Sequence, residues 1–268
     1  MKKNIFVIAF TVFMALCLGL FLEYTQDKNY SQTASGSGLD NTGYGWGIKK
    51  VKGSEPEVTQ QQKEMLLKYD SYYMDTSKPK KLYLTFDEGY ENGYTAKILD
   101  VLFEKKVPAA FFITAPYAKK ETQLIERMID EGHIVGNHTI NHPNLPKLEN
   151  IDKISQELLG MNAIVKELYS YDMQYMRPPE GCYSELVLST AKELGFKTVF
   201  WSFAYKDWEI NNQKGKDYAL SQVTPYLHDG AILLLHAVSK DNADALGEII
   251  DYARESGFEF ASLDDINT

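Results

Sequence analysis

The chain has 268 residues, room for one large domain or two small ones. Its 44% hydrophobic and 24% charged residues exclude a wholly disordered chain. A net charge of −9 excludes a protein that binds nucleic acid through a basic face.

Residues 1–22, MKKNIFVIAFTVFMALCLGLFL, place two lysines before an unbroken apolar run, the layout of an export signal. The run is close to the ~20 residues that span a bilayer. No small-x-small cleavage site follows it, and Leu16 before Cys17 does not suit a lipoprotein box. The segment therefore reads as a signal peptide or, by preference, an uncleaved membrane anchor. Either way the rest of the chain is expected outside the cytoplasm, at the outer face of the membrane or in the extracytoplasmic space. The two cysteines, Cys17 and Cys182, are not expected to pair, because Cys17 lies inside the apolar run.

Residues 24–54 have the Ser, Gly, Thr, Asn and Lys content of a spacer. YGWGIKK (44–50) interrupts it, and its Tyr44 and Trp46 are expected to pack on the main domain. Residues 56–73 read as a short amphipathic helix. This divides the chain into a signal or anchor (1–22), a linker and N-terminal extension (23–79) and a folded domain (80–265).

From Leu82 onward short apolar runs recur at 82–86, 108–113, 133–136, 174–177, 197–201, 231–235 and 258–261. Between them lie helical patterns at 93–106, 118–131, 150–169, 184–194, 217–227 and 240–256. Strands alternating with helices imply parallel βαβ units. The folded part is too short for a full eight-fold barrel of about 250 residues, so a smaller, incomplete α/β barrel is expected.

Polar residues cluster where these strands end. Asp87 and Glu88 close the first run, and His138 and His142 follow the third. Arg177 closes the fourth, Asp207 and Trp208 follow the fifth, and His236 closes the sixth. The carboxyl ends of parallel strands form the face that carries ligands and chemistry. Two histidines at i, i+4 share a helical face and can clamp a divalent cation, although a solvated pair is the commoner meaning of that spacing. The adjacent carboxylates favour the clamp, since Asp87 and Glu88 repel unless a cation or an arginine relieves them. Pro178 and Pro179 fix the backbone beside Arg177, which suits orienting a carboxylate. Asp207 also reads as a helix cap, Trp208 as core and His236 as a buried structural histidine. His133 and His228 have no such neighbours and read as structural. Leu234 shares a strand face with His236.

TFDEGY, HTINH, RPPEG, KDW and LLLH, in this order, resemble the five motifs of the polysaccharide deacetylases, the NodB-homology domains of carbohydrate esterase family 4. YENGYTAKILDVL and KDWEINNQKGKDYA, with YGWGIKK, resemble the subgroup that makes muramic δ-lactam in spore-cortex peptidoglycan. The resemblance implies a distorted (β/α)7 barrel. It implies Asp87 as general base, Arg177 as its orienting partner and His236 as general acid. His138 and His142 become ligands of one divalent metal, zinc with cobalt or manganese as alternatives. The Glu180 backbone N–H becomes an oxyanion donor, with Trp208 and Leu234 as substrate contacts, Leu234 at the acetyl methyl.

Two positions depart from the pattern. Glu88 stands where the family has an Asp that is the third metal ligand; one methylene longer, it either ligates from a shifted position or swings away and leaves a water. Ala204 stands where the fourth motif begins with Asp, leaving Asp207 either to hold Arg177 or to tune His236. The expected partner is a peptidoglycan strand, with a recruiting protein left unnamed. The expected reaction is deacetylation of N-acetylmuramic acid lacking its stem peptide; for a sporulation enzyme the place is the spore intermembrane space. Two other readings are an N-acetylglucosamine deacetylase of peptidoglycan or chitin-like chains, and a cell-wall binding protein whose chemistry has weakened.

Overall fold

The structure is a computed structural model and describes residues 38–148 and 150–266. The expected signal or anchor therefore lies outside the described residues. Among these residues no helix is long and apolar enough to cross a membrane. A compact unit begins at Asp40.

Its elements in chain order are β1 (Tyr44–Gly45), α1 (Gln60–Lys68), β2 (Ser71–Tyr72), β3 (Lys81–Glu88), α2 (Thr95–Lys105), β4 (Ala109–Ile113), α3 (Ala115–Lys120), α4 (Thr122–Asp130) and β5 (Ile134–Asn137). There follow α5 (Ile151–Tyr169), β6 (Tyr175–Met176), β7 (Cys182–Tyr183), α6 (Glu185–Glu193), β8 (Lys197–Val199), α7 (Lys216–Val223), β9 (Ala231–His236), α8 (Lys240–Glu255) and β10 (Glu259–Phe260).

All seven expected strands form, and they join one parallel sheet. The order is β10-β3-β4-β5-β6-β8-β2, with β9 on β3. Strand β3, KLYLTFDE, is buried from Leu82 to Glu88, as a central parallel strand covered on both faces must be. The sheet curls until Phe203, just past β8, meets Leu233 of β9, where the Leu234 N–H donates to the Phe203 carbonyl at 2.9 Å. Tyr83, Phe112, Tyr175 and Ile232 fill the interior, and Leu263 and Ile266 pack against the same cluster.

The differences from expectation are local. The expected helix 56–73 stops at Lys68. Asp70 takes a left-handed φ of 47°, and Ser71–Tyr72 then pairs with β8 as an eighth strand of the sheet. The expected helix 118–131 starts earlier and breaks at Glu121 into α3 and α4. Helix α7 ends at Val223, before Pro225, which has no N–H to continue it. Upstream, Trp46 is buried among Tyr73, Tyr183 and Phe200, so the YGWGIKK segment packs on the barrel as expected.

Candidate active site

The strand ends open into a cavity of about 1010 Å³ lined by Asp87, His138, His142, Glu180, Trp208, Leu234 and His236 among others. The β3–β9 register places Asp87 directly beside His236. Arg177 and Asp207 sit beneath this surface, both buried, each holding one member of that pair.

Arg177 is fully buried, and its guanidinium lies 4.2 Å from the Phe112 ring centre. Its Nε donates to the Val199 carbonyl at 2.9 Å and Nη2 to the Phe200 carbonyl at 3.0 Å. Nη1 donates to Asp87 Oδ1 at 2.8 Å. Two carbonyls thus fix the fork, and the remaining arm fixes the carboxylate. Burial pushes the Asp87 pKa up, but the charges of Arg177, His138 and His236 outweigh it and hold it below the usual carboxylate value.

On the other side, His236 Nδ1 meets Asp207 Oδ1 at 2.7 Å, and the His236 backbone N–H donates to Asp207 Oδ2 at 2.8 Å. Of the two tasks open to Asp207, it takes the second and holds His236. Burial pulls the His236 pKa down, while Asp207 and then Asp87 raise it further, so the net shift is upward. With Nδ1 committed, Nε2 is the nitrogen left to exchange a proton. The Trp208 ring stands edge-on to His236, centroids 5.4 Å apart, and is half exposed at the rim rather than core.

His138 and His142 do come together, with ring centroids 4.9 Å apart. Their spacing is not helical, however. The chain turns through left-handed residues at Thr139 (φ 71°) and His142 (φ 56°). Asn137 Oδ1 accepts the Thr139 N–H and Thr139 Oγ1 accepts the His142 N–H, each at 2.9 Å. Glu157 accepts the N–H groups of Ile140 and Asn141, also at 2.9 Å each. His138 Nδ1 lies 2.8 Å from the Arg177 carbonyl and must donate to it. That leaves the Nε2 lone pair beside Asp87 Oδ2, 3.6 Å away, in the tautomer a metal ligand needs. Burial is the main cause that lowers the His138 pKa to about 4, so the ring is neutral at pH 7.

Of the two placements open to Glu88, the side chain takes the one away from the histidines, so it does not supply a third ligand here. Successive strand residues face opposite sides of a sheet, so Asp87 in the cavity sends Glu88 behind it. Glu88 is fully buried, and neither carboxylate oxygen has a hydrogen-bond partner. Burial, then Glu91 and Asp87, raise its pKa well above the ordinary glutamate value. Among the described residues no group of three or more His, Cys, Asp or Glu is placed to hold a metal ion. The two imidazoles, one with its outer nitrogen anchored, still suit a divalent cation by donor chemistry; Glu88 does not.

Glu180 lies at the cavity edge with φ 58°, after two prolines that offer no N–H. Gly181 follows at φ 63°, where a side chain would stand 2.7 Å from the Trp201 ring. Its carbonyl accepts the Trp46 N–H at 2.8 Å, and Trp46 Nε1 donates to the Trp201 carbonyl at 2.9 Å. The upstream segment is therefore a wall of the cavity. Tyr90, Asn141 and Lys206, which lie within the quoted motifs without an assigned role, also line it, as does Trp201. His133 and His228 are buried away from it, as expected of structural histidines. A second cavity of about 670 Å³ borders His228, at the amino end of β9, and carries none of the acid–base groups.

A carboxyl whose pKa is held down beside a histidine whose pKa is pushed up, on the carboxyl rim of a curled parallel sheet, is the arrangement that acid–base hydrolysis needs. Residues 74–199 match the family model described as polysaccharide deacetylase. The chain is 46% identical over 235 residues to the peptidoglycan-N-acetylmuramic acid deacetylase PdaA of Bacillus subtilis, covering 87% of this chain and 89% of that protein. The solved structure of Bacillus subtilis PdaA, a family 4 carbohydrate esterase, superposes with a TM-score of 0.82 at 46% identity, covering 85% of this chain and 98% of that one. A family 4 carbohydrate esterase from Bacillus anthracis gives 0.72 at 44% identity, with 85% and 97% covered. The chain belongs to the polysaccharide deacetylase family, carbohydrate esterase family 4, and is an enzyme of that family.

Proposed function

We propose that this enzyme removes the N-acetyl group from N-acetylmuramic acid in peptidoglycan strands whose stem peptides are gone. The observation that carries the chemistry is the opposed support of two neighbours: Arg177 on Asp87 at 2.8 Å and Asp207 on His236 at 2.7 Å. The substrate reading is supported by the likeness to a relative named for N-acetylmuramic acid.

An acetyl amide resists water because its carbonyl is a poor electrophile and its nitrogen a poor leaving group. Asp87, held ionised, takes a proton from water as the oxygen adds to the carbonyl carbon. The developing oxyanion faces the Glu180 N–H; one such donor is typically worth about 3 kcal/mol. His236, held protonated, gives its proton to nitrogen as the C–N bond breaks, leaving acetate and a free amine. Leu234 packs against the acetyl methyl, and Trp208 borders the sugar ring. His138 and His142 would hold one divalent cation, zinc or else cobalt or manganese, whose Lewis acidity would serve the acetyl carbonyl.

The freed amine sits beside the lactyl carboxylate, so closure to the six-membered muramic δ-lactam of spore cortex is intramolecular and gains a large effective concentration. The first 22 residues support export and retention at the outer face of the membrane. The test incubates purified protein and zinc with peptide-free peptidoglycan, intact peptidoglycan and N-acetylglucosamine oligomers, with products read by mass spectrometry. Acetyl loss from muramic acid in the peptide-free sample is expected. Faster deacetylation of the glucosamine oligomers would overturn the substrate assignment.

A further inference from the structure

Asp207 is the residue that makes His236 an acid, yet it is itself a buried carboxylate that something must orient. Its Oδ1 is taken by the His236 ring and its Oδ2 by the His236 backbone N–H. A further donor comes from a side chain outside the motifs. Asn242, on α8 and 1% exposed, donates from Nδ2 to Asp207 Oδ2 at 2.6 Å and to the His236 carbonyl at 3.2 Å. Its Oδ1 accepts the hydroxyl of Tyr205, a residue of the cavity wall. Its own N–H is fixed by Ser239 Oγ at 3.2 Å.

The amide can stand only one way round. Both neighbours of Nδ2 are acceptors, and the neighbour of Oδ1 is a hydroxyl whose proton has somewhere to go. An aspartate at 242 would fill the same space but set a carboxylate against the Asp207 carboxylate and the His236 carbonyl. The asparagine thus ties the ring, the backbone and the supporting carboxylate of His236 to one point on α8.

We propose that Asn242 is a positioning residue for the general acid: it acts through Asp207 to hold the His236 ring with Nε2 toward the cavity. The proposal rests on His236 being the acid of the reaction proposed above. Its test therefore includes a readout that needs no turnover. The groups facing His236 are Asp207, Asp87, Arg177 and Trp208, and none is itself substituted in an Asn242 variant.

The experiment compares the full-length parent with Asn242→Ala and Asn242→Asp. NMR follows the His236 ring protons, and kcat and KM are measured on peptide-free peptidoglycan with zinc. In the parent the His236 Nδ1 proton is expected to be protected from solvent. In Asn242→Ala that protection is expected to be lost and kcat to fall about tenfold or more with KM within about twofold, the scale typical of a lost outer-shell partner. Asn242→Asp adds an anion next to Asp207, so the His236 pKa is expected to rise. Folded Asn242 variants that keep the parent's Nδ1 protection and His236 pKa would overturn the proposal, whatever their activity. Lost protection with unchanged kcat would instead leave Asn242 holding the ring and count against His236 as the acid. If both Asn242 variants fail to fold, Tyr205→Phe, which removes the hydroxyl that pins the amide, is expected to show the same loss of protection. Retained protection there would overturn the proposal too.

Discussion

Asp87 and His236 are register partners across β3 and β9, yet their surroundings drive their protons in opposite directions. Arg177 lies under one and Asp207 under the other, so a single pair of strands carries the base and the acid of the proposed reaction. Neither support lies on β3 or β9: Arg177 follows β6, and Asp207 comes from the loop after β8.

The pH profile of kcat/KM should be bell-shaped and broad. Asp87 is held below its ordinary 3.8, so the acid limb should fall at or below the usual carboxylate range. His236 is held above its ordinary 6.5, so the alkaline limb should lie above neutral histidine titration. Asp207→Asn removes the anion that raises His236 and should draw the alkaline limb to lower pH. An alkaline limb that stays in place in Asp207→Asn would separate it from His236.

Arg177→Lys keeps the charge and loses the fork. The two carbonyls of Val199 and Phe200 and the Asp87 carboxylate cannot all be met by one ammonium in the same place. Breaking a buried pair typically costs about 3–5 kcal/mol, and part of that should appear as a lower melting temperature. With weaker support the Asp87 pKa should rise and the acid limb move to higher pH. A variant with the parent's melting temperature and acid limb would show that Arg177 holds nothing that matters.

Glu88→Gln should separate folding from catalysis. Glu88 has a folded pKa raised above its unfolded value, so the fold loses stability as pH rises from the ordinary 4.5 toward the raised value. Glutamine cannot ionise, so the variant should resist urea better than the parent at pH 7, with the gap closing toward pH 4. Metal content and turnover should change little, because the side chain lies behind the strand. Loss of bound zinc in this variant would restore Glu88 as a ligand.

His138→Ala removes the imidazole anchored by the Arg177 carbonyl. Zinc retention, read by elemental analysis after dialysis, and turnover should both be lost, with the fold kept by circular dichroism. His142→Ala should weaken retention in the same sense. Zinc retained at the parent's level in His138→Ala would end the two-histidine assignment.

Much of the site was legible because strand-end positions can be counted along the chain: Asp87, Arg177, Asp207 and His236 each close or follow an apolar run, and all meet. Glu88 was left open between two placements, and the period-two alternation of its own strand, which sends it behind Asp87, decides between them. The histidine loop kept its spacing but not its conformation, since a left-handed Thr139 held by Asn137 leaves no mark in composition. Partners from distant segments were not legible at all. Asn242 is 35 positions from Asp207, and the two meet at His236, where β9 ends.

Trp46 has a consequence for where the catalytic unit ends. The family match begins at residue 74, yet Trp46 is bonded to Gly181, on the turn after Pro179, and to Trp201, just past β8. A version of this enzyme that began at residue 74 would keep Asp87, His138, His142, Arg177, Asp207 and His236 and still be missing a side of its cleft. That wall also ties the Trp46 segment to the Glu180–Gly181 turn at the cavity edge.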